Sequence, residues 1–194
     1  RLYAKYCALL AEADGSYKAL IENEIKFEEF LWLLSRYSSR EALDELLRLL
    51  YLCHDREYGP NHIAIAQLIK TGRCLACFTT NFDNAIETAC AALDVPLRPP
   101  FTMPGVYPNT LPGKGEKPIL VKLHGCVLDS NCVADSAALL AARSNHTHGM
   151  IRSLLKGRNV LVLGYSGLGD IDISPQLSET EARFFWANHR VPHS

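Results

Sequence analysis

The chain has 194 residues, 48% of them hydrophobic and 21% charged, with 20 Lys+Arg against 21 Asp+Glu and a formal net charge of -1. These are ordinary values for one globular domain, and a balanced charge without blocks of one sign argues against a nucleic-acid partner. No apolar run approaches the roughly 20 residues that a membrane-crossing helix needs. The seven scattered cysteines fit core thiols in a reducing, cytoplasmic setting better than a disulfide framework.

Taken in chain order, residues 1–58 read as helical. Leu2 to Ala13 is rich in helix formers, and Phe27, Phe30, Leu31 and Leu34 recur at helical spacing. Ser38 with Glu41 has the form of a capping box ahead of Leu43, Leu46, Leu47 and Leu50. The Gly59-Pro60-Asn61 break opens another helix, with Ile65, Leu68 and Ile69 as its apolar positions and Gly72 near its end. A strand is predicted over Cys74–Thr79 and a helix over Asp83–Leu93. Residues 96–118 hold seven of the ten prolines, an irregular connection of the length that often forms lids or binding loops. A second strand is predicted over Ile119–Leu123, with helices over about Ala134–Ala142 and Met150–Lys156, the latter stopped by Gly157. A third strand covers Asn159–Leu163, and Ser178 with Glu181 predicts a last helix through Asn188. Near-continuously apolar strands alternating with helices predict a parallel sheet covered on both faces. The expected architecture is a single α/β, Rossmann-like domain over residues 1–194, mostly helical over 1–72, with the α/β core over 73–177.

Each predicted strand ends in polar chemistry, and in parallel sheets ligands bind outside the carboxyl ends of the strands. The first strand leads into Thr79-Thr80-Asn81-Phe82-Asp83, the second into His124-Gly125, and the third into Gly164-Tyr165-Ser166-Gly167 with Asp170 and Asp172. An amide can fix a water or hydroxyl, a histidine can accept a proton near neutrality, and glycines let backbone approach a ligand. The convergence points to a small-molecule site for a nucleotide. Plainer readings of the same residues stand beside it. Asn81 and Asp83 also suit a helix N-terminus, His124 a buried, hydrogen-bonded position, and Gly164 and Ser166 a simple strand-to-helix turn. Asp170 and Asp172 read as turn formers, and no metal is assigned. Phe184-Phe185-Trp186 reads as core or as a homo-oligomer contact.

Thr79-Thr80-Asn81-Phe82-Asp83, then Lys122-Leu123-His124-Gly125, then Gly164-Tyr165-Ser166-Gly167 with Asp170, in this order, resemble the sirtuin-like superfamily. The likeness is greatest to its divergent branch found in bacterial defence proteins, and Phe27-Glu28-Glu29-Phe30 is similar to that branch's helical segment. The resemblance spans about residues 27–177. It implies NAD as substrate, with Asn81 positioning the ribose and the attacking water, Asp83 meeting the nicotinamide amide, and His124 serving as general base or ribose-orienting group. Gly164 and Ser166 would hold the adenosine half. Thr79, Thr80, Phe82 and Tyr165 complete the expected binding set. Nicotinamide leaves as a neutral molecule from a cationic N-glycoside, so such a site mainly needs positioning and desolvation.

The chain departs from the family pattern in two places. The family's opening strand and glycine-rich phosphate loop have no counterpart, so the chain is expected to be an N-terminally incomplete piece. A later strand of the family is also expected to be missing or replaced by a short helix. The two Cys-pair motifs of protein-deacylating members are absent after His124, where only Cys126 and Cys132 occur. Cys74 and Cys77 have zinc-like spacing, but inside a strand they would point to opposite faces. Zinc-free members are more often NAD hydrolases, so the expected activity is cleavage of NAD to nicotinamide and ADP-ribose, in a setting such as antiviral defence. The alternatives are a non-catalytic module that binds or senses NAD or ADP-ribose, an NAD-dependent protein deacylase, and a serine hydrolase built on Ser166.

Overall fold

The computed structural model describes residues 35–52, 58–102, 108–129, 145–165 and 173–187, with backbone alone for 145–148. The helices expected before residue 35 and over 134–142, and the residues Ser166, Asp170 and Asp172, lie outside the described residues.

The first helix that lies wholly within the described residues, α1, spans Arg40–Tyr51. Its N-cap is Ser39, whose hydroxyl accepts from the Ala42 N–H at 3.2 Å, one position later than the expected Ser38. Leu43 and Leu47 form its buried stripe, one turn apart as an amphipathic helix requires. α2 spans Pro60–Lys70 and starts at the predicted break. Proline suits the first helical position because its missing N–H would have no partner there. The His62 ring Nδ1 accepts from the Gly59 N–H at 3.0 Å and closes the entrance.

The strand β1 (Ala76–Thr79) is followed by α3 (Ala85–Ala92) and, beyond the proline-rich connection, by β2 (Ile119–Lys122). β1 and β2 pair in parallel, from Ala76 opposite Ile119 to Thr79 opposite Lys122. All four β2 residues are buried, because each face of the strand meets a different core. On one face Leu120 packs with Ala66 and Ile69 of α2 and Ile86, Ala89 and Cys90 of α3. On the other, Ile119 and Val121 pack with Met150, Ile151, Leu154 and Leu155 of α4, the helix Asn145–Leu155. The remaining elements are β3 (Asn159–Leu163), the short α5 (Ile173–Ser178) and β4 (Arg183–Ala187). β3 and β4 also pair in parallel, Asn159 opposite Arg183 through Leu163 opposite Ala187. Val160 of β3 and Leu177 of α5 pack onto the cluster shared by β2 and α4, which joins the two ladders through one core. Parallel ladders with helices between them make this a Rossmann-like α/β fold.

Two expectations are corrected. No helix runs from Ser178 to Asn188. The Ser178 hydroxyl donates to the Pro175 carbonyl at 2.7 Å and the Thr180 hydroxyl to the Leu177 carbonyl at 2.8 Å, side-chain bonds that compete with helix continuation. The chain then joins β3 through Gly157 N–H to Glu181 O and Arg183 N–H to Arg158 O, both 2.8 Å. The aromatic run Phe184-Phe185-Trp186 suits a strand, so a later strand is present where one was expected to be missing. The second correction concerns Cys74, which precedes β1 rather than lying in it. Strand alternation therefore does not apply, and Cys74 and Cys77 pack against the same apolar cluster.

Candidate functional site

After Thr79 the chain turns sharply into α3. The Asn81 N–H donates to the Thr79 hydroxyl oxygen at 3.0 Å, and the Ala85 N–H donates to Asp83 Oδ1 at 2.9 Å. The N-cap of α3 is Asn84, which makes no side-chain cap bond; Asp83, one position earlier, engages the start of the helix with one carboxylate oxygen. Asn81 is exposed at the tip of the turn. Phe82 points the other way: it is buried, and its ring meets Tyr51 of α1 edge-on at 4.9 Å. The Tyr51 hydroxyl is pushed above its ordinary pKa, first by burial and then by the negative charge of Asp83.

The end of β2 is stitched to this turn by backbone bonds. Leu123 N–H donates to Thr79 O at 2.9 Å, and Val127 N–H donates to Phe82 O at 2.9 Å. His124 lies between these two bonds, half-buried. Gly125 follows at φ 82, a left-handed turn that residues with a Cβ avoid. α1 braces the same loop: Arg48 Nε donates to Val127 O at 3.1 Å and Nη2 to Leu128 O at 3.3 Å. Asn81, Asp83 and His124 therefore sit on two loops held to each other at one end of one ladder.

The third strand end belongs to the other ladder. Gly164 is exposed at φ 64, again a conformation that favours glycine. Tyr165 stacks on Trp186 with ring centres 6.1 Å apart and also packs on the α4 core. Its ring is thus shared between packing and the turn.

Two further residues, Lys122 and Glu87, tie together the elements that carry these turns. Lys122, two positions before His124, is among the most completely buried side chains, 1% exposed, and its Nζ lies 3.0 Å from Glu87 Oε1. It also donates to the Asp83 carbonyl. The signal was present in the sequence: a lysine inside the run Ile119-Leu120-Val121-Lys122-Leu123 must find a partner, because an unpaired buried charge is costly.

Among the described residues no group of three or more His, Cys, Asp or Glu side chains is placed to hold a metal ion. Cys74, Cys77 and Cys90 are free thiols packed on one cluster. Burial, followed by the neighbouring thiols and Glu87, pushes Cys77 up to about 12. Burial, followed by Glu87 and Cys74, pushes Cys90 to about 11. Such thiols stay protonated and unreactive. Among the described residues no helix is long and apolar enough to cross a membrane.

Comparison with curated proteins finds no match. Residues 75–184 match the SIR2-like domain family. That span is more than half of the chain, and it begins at the lead into β1 and reaches into β4. With this match laid over parallel ladders and the joined loops of Asn81 and His124, the chain belongs to the SIR2-like domain family, whose activities centre on NAD.

Proposed function

We propose that the domain cleaves NAD to nicotinamide and ADP-ribose. The observation that carries this reading is the pair of backbone bonds, Leu123 to Thr79 and Val127 to Phe82, which hold the Asn81 turn and the His124 turn together. Hydrolysis breaks the bond between the ribose C1′ and the nicotinamide nitrogen, whose bonding pair leaves with nicotinamide. The water oxygen bonds to C1′, and His124 accepts the water's proton. Asn81, exposed at the tip, fixes the water and the ribose hydroxyl. Asp83 meets the nicotinamide amide through the oxygen that does not serve Ala85. Thr79, Thr80, Gly164, Tyr165 and Ser166 form the rest of the NAD-binding set, and Phe82, expected in it, serves by anchoring the turn against Tyr51. NAD loss of this kind would arrest a host cell, which fits a role in antiviral defence.

The test is NAD turnover with nicotinamide detection on the natural full-length protein. Asn81→Ala and His124→Ala are each expected to lower turnover by about 10²-fold or more. Full activity in both variants would overturn the reading. Binding of NAD with no cleavage by the unaltered protein would leave a binding or sensing module instead.

A further inference from the structure

We propose that Lys122 and Glu87 form a buried positioning device that sets the Asn81–Asp83 turn through the Asp83 carbonyl. The inference rests on the NAD-cleaving reading of that turn and adds residues to it. Lys122 projects from β2 toward α3, on the same side of the strand as Leu120. Its ammonium reaches two acceptors: the Glu87 carboxylate on the first turn of α3, and the main-chain oxygen of Asp83 just before that helix. One cation therefore links the end of β2 to the exit of the turn that carries Asn81 and to the first turn of α3.

The pair is a poor device for stability alone. Neither Glu87 oxygen has an aligned hydrogen bond among the described residues, so the 3.0 Å contact is an ion pair without further donors to complete it. Burial raises the Glu87 pKa, while the Lys122 charge opposes the rise. Buried pairs of this kind are commonly matched or exceeded in stability by apolar residues of similar size. Apolar residues could not supply a donor aimed at the Asp83 carbonyl. That peptide follows the Phe82 carbonyl, which accepts from Val127, and precedes the Ala85 N–H, which donates to the Asp83 carboxylate. Fixing it fixes the link to the His124 loop and the start of α3 together. Lys122 and Glu87 act through the turn and need not touch NAD.

The experiment compares the full-length protein with Lys122→Met and with Lys122→Met combined with Glu87→Met. The single variant leaves Glu87 uncompensated and is expected to melt lower. The double variant removes both charges and is expected to recover the melting temperature. In the double variant kcat for NAD should still fall by about 10²-fold, as for a site displaced by about an ångström, with KM changed by less than about threefold. The Ala85 and Val127 amides should exchange with solvent about tenfold faster, and those of β1 should not change. A double variant with unaltered kcat, or with unaltered exchange at Ala85 and Val127, would overturn the proposal. If the unaltered protein does not cleave NAD, the functional reading fails while amide exchange still decides the role of Lys122.

Discussion

β1–β2 and β3–β4 are built alike, as parallel two-stranded ladders, but they meet solvent differently. β2 is buried along its whole length, with α2 and α3 against one face and α4 against the other. β3 and β4 are covered only in part: Val162 is buried, but Trp186, opposite it in the register, is 50% exposed. Leu161 and Leu163 are 53% and 42% exposed. Phe185, opposite Leu161 in the register, is 50% exposed. The turns of Asn81 and His124 grow from the doubly covered ladder, where packing leaves the strand ends little room to shift. The Gly164 turn grows from the half-covered one. A reaction that depends on placing a water within a fraction of an ångström needs elements of the first kind. A surface that only cradles one end of a ligand tolerates the second.

The comparison can be broken most directly at Leu120. It is fully buried between β2 and the helices α2 and α3, so Leu120→Ala should cost about 2–5 kcal/mol in urea unfolding. A loss comparable to a surface substitution would mean that the doubly covered ladder is not the rigid part.

A smaller effect is expected at Cys77, on the β1 side of the same core. Its thiol is raised from 9.0 to about 12. Below pH 9 the thiol is protonated whether the chain is folded or not. As pH rises toward 12 only the unfolded chain ionises it, and the stability it contributes is progressively lost. The melting temperature should therefore fall between about pH 9 and 11, and Cys77→Ala should flatten that fall. An identical slope in the variant would show that the thiol titrates near its ordinary value, and hence that this face is wetter than its packing indicates.

The smallest effect belongs to Leu161. On the uncovered face, Leu161→Ser should change the unfolding free energy by no more than about 0.5 kcal/mol. A loss several times larger would show that this face is covered in the natural protein and would erase the contrast between the ladders.

The parts legible in the sequence were those set by neighbouring residues. β3 was read to its ends because its apolar run is bounded by Gly157 and Gly164. α2 was placed by Gly59-Pro60, and the turn after β1 by its cluster of Thr, Asn and Asp. The parts that were missed depend on partners far along the chain. The Ser178–Glu181 pattern suggests a helix cap locally, but β3 offers a pairing edge that no local window contains. Lys122 announces that it needs a counter-charge without saying which, and Glu87 lies on the far side of the proline-rich connection. The expected β1 starts two residues too early, enough to put Cys74 inside a strand whose alternation does not govern it.

The proline-rich connection does one more thing for β2. Arg98 N–H donates to Pro118 O at 3.1 Å, Phe101 N–H to Leu120 O at 2.9 Å, and Lys122 N–H to Phe101 O at 2.8 Å. These three bonds occupy the side of β2 that faces away from β1. The segment lies alongside without becoming a strand, because Pro99 and Pro100 have no N–H to pass on. An open strand edge is a template for intermolecular pairing. Here that edge is capped by a length of chain unable to propagate the ladder. A second molecule arriving at this side of β2 finds prolines where it would need donors, which guards the most deeply buried of the described strands against growth into aggregates.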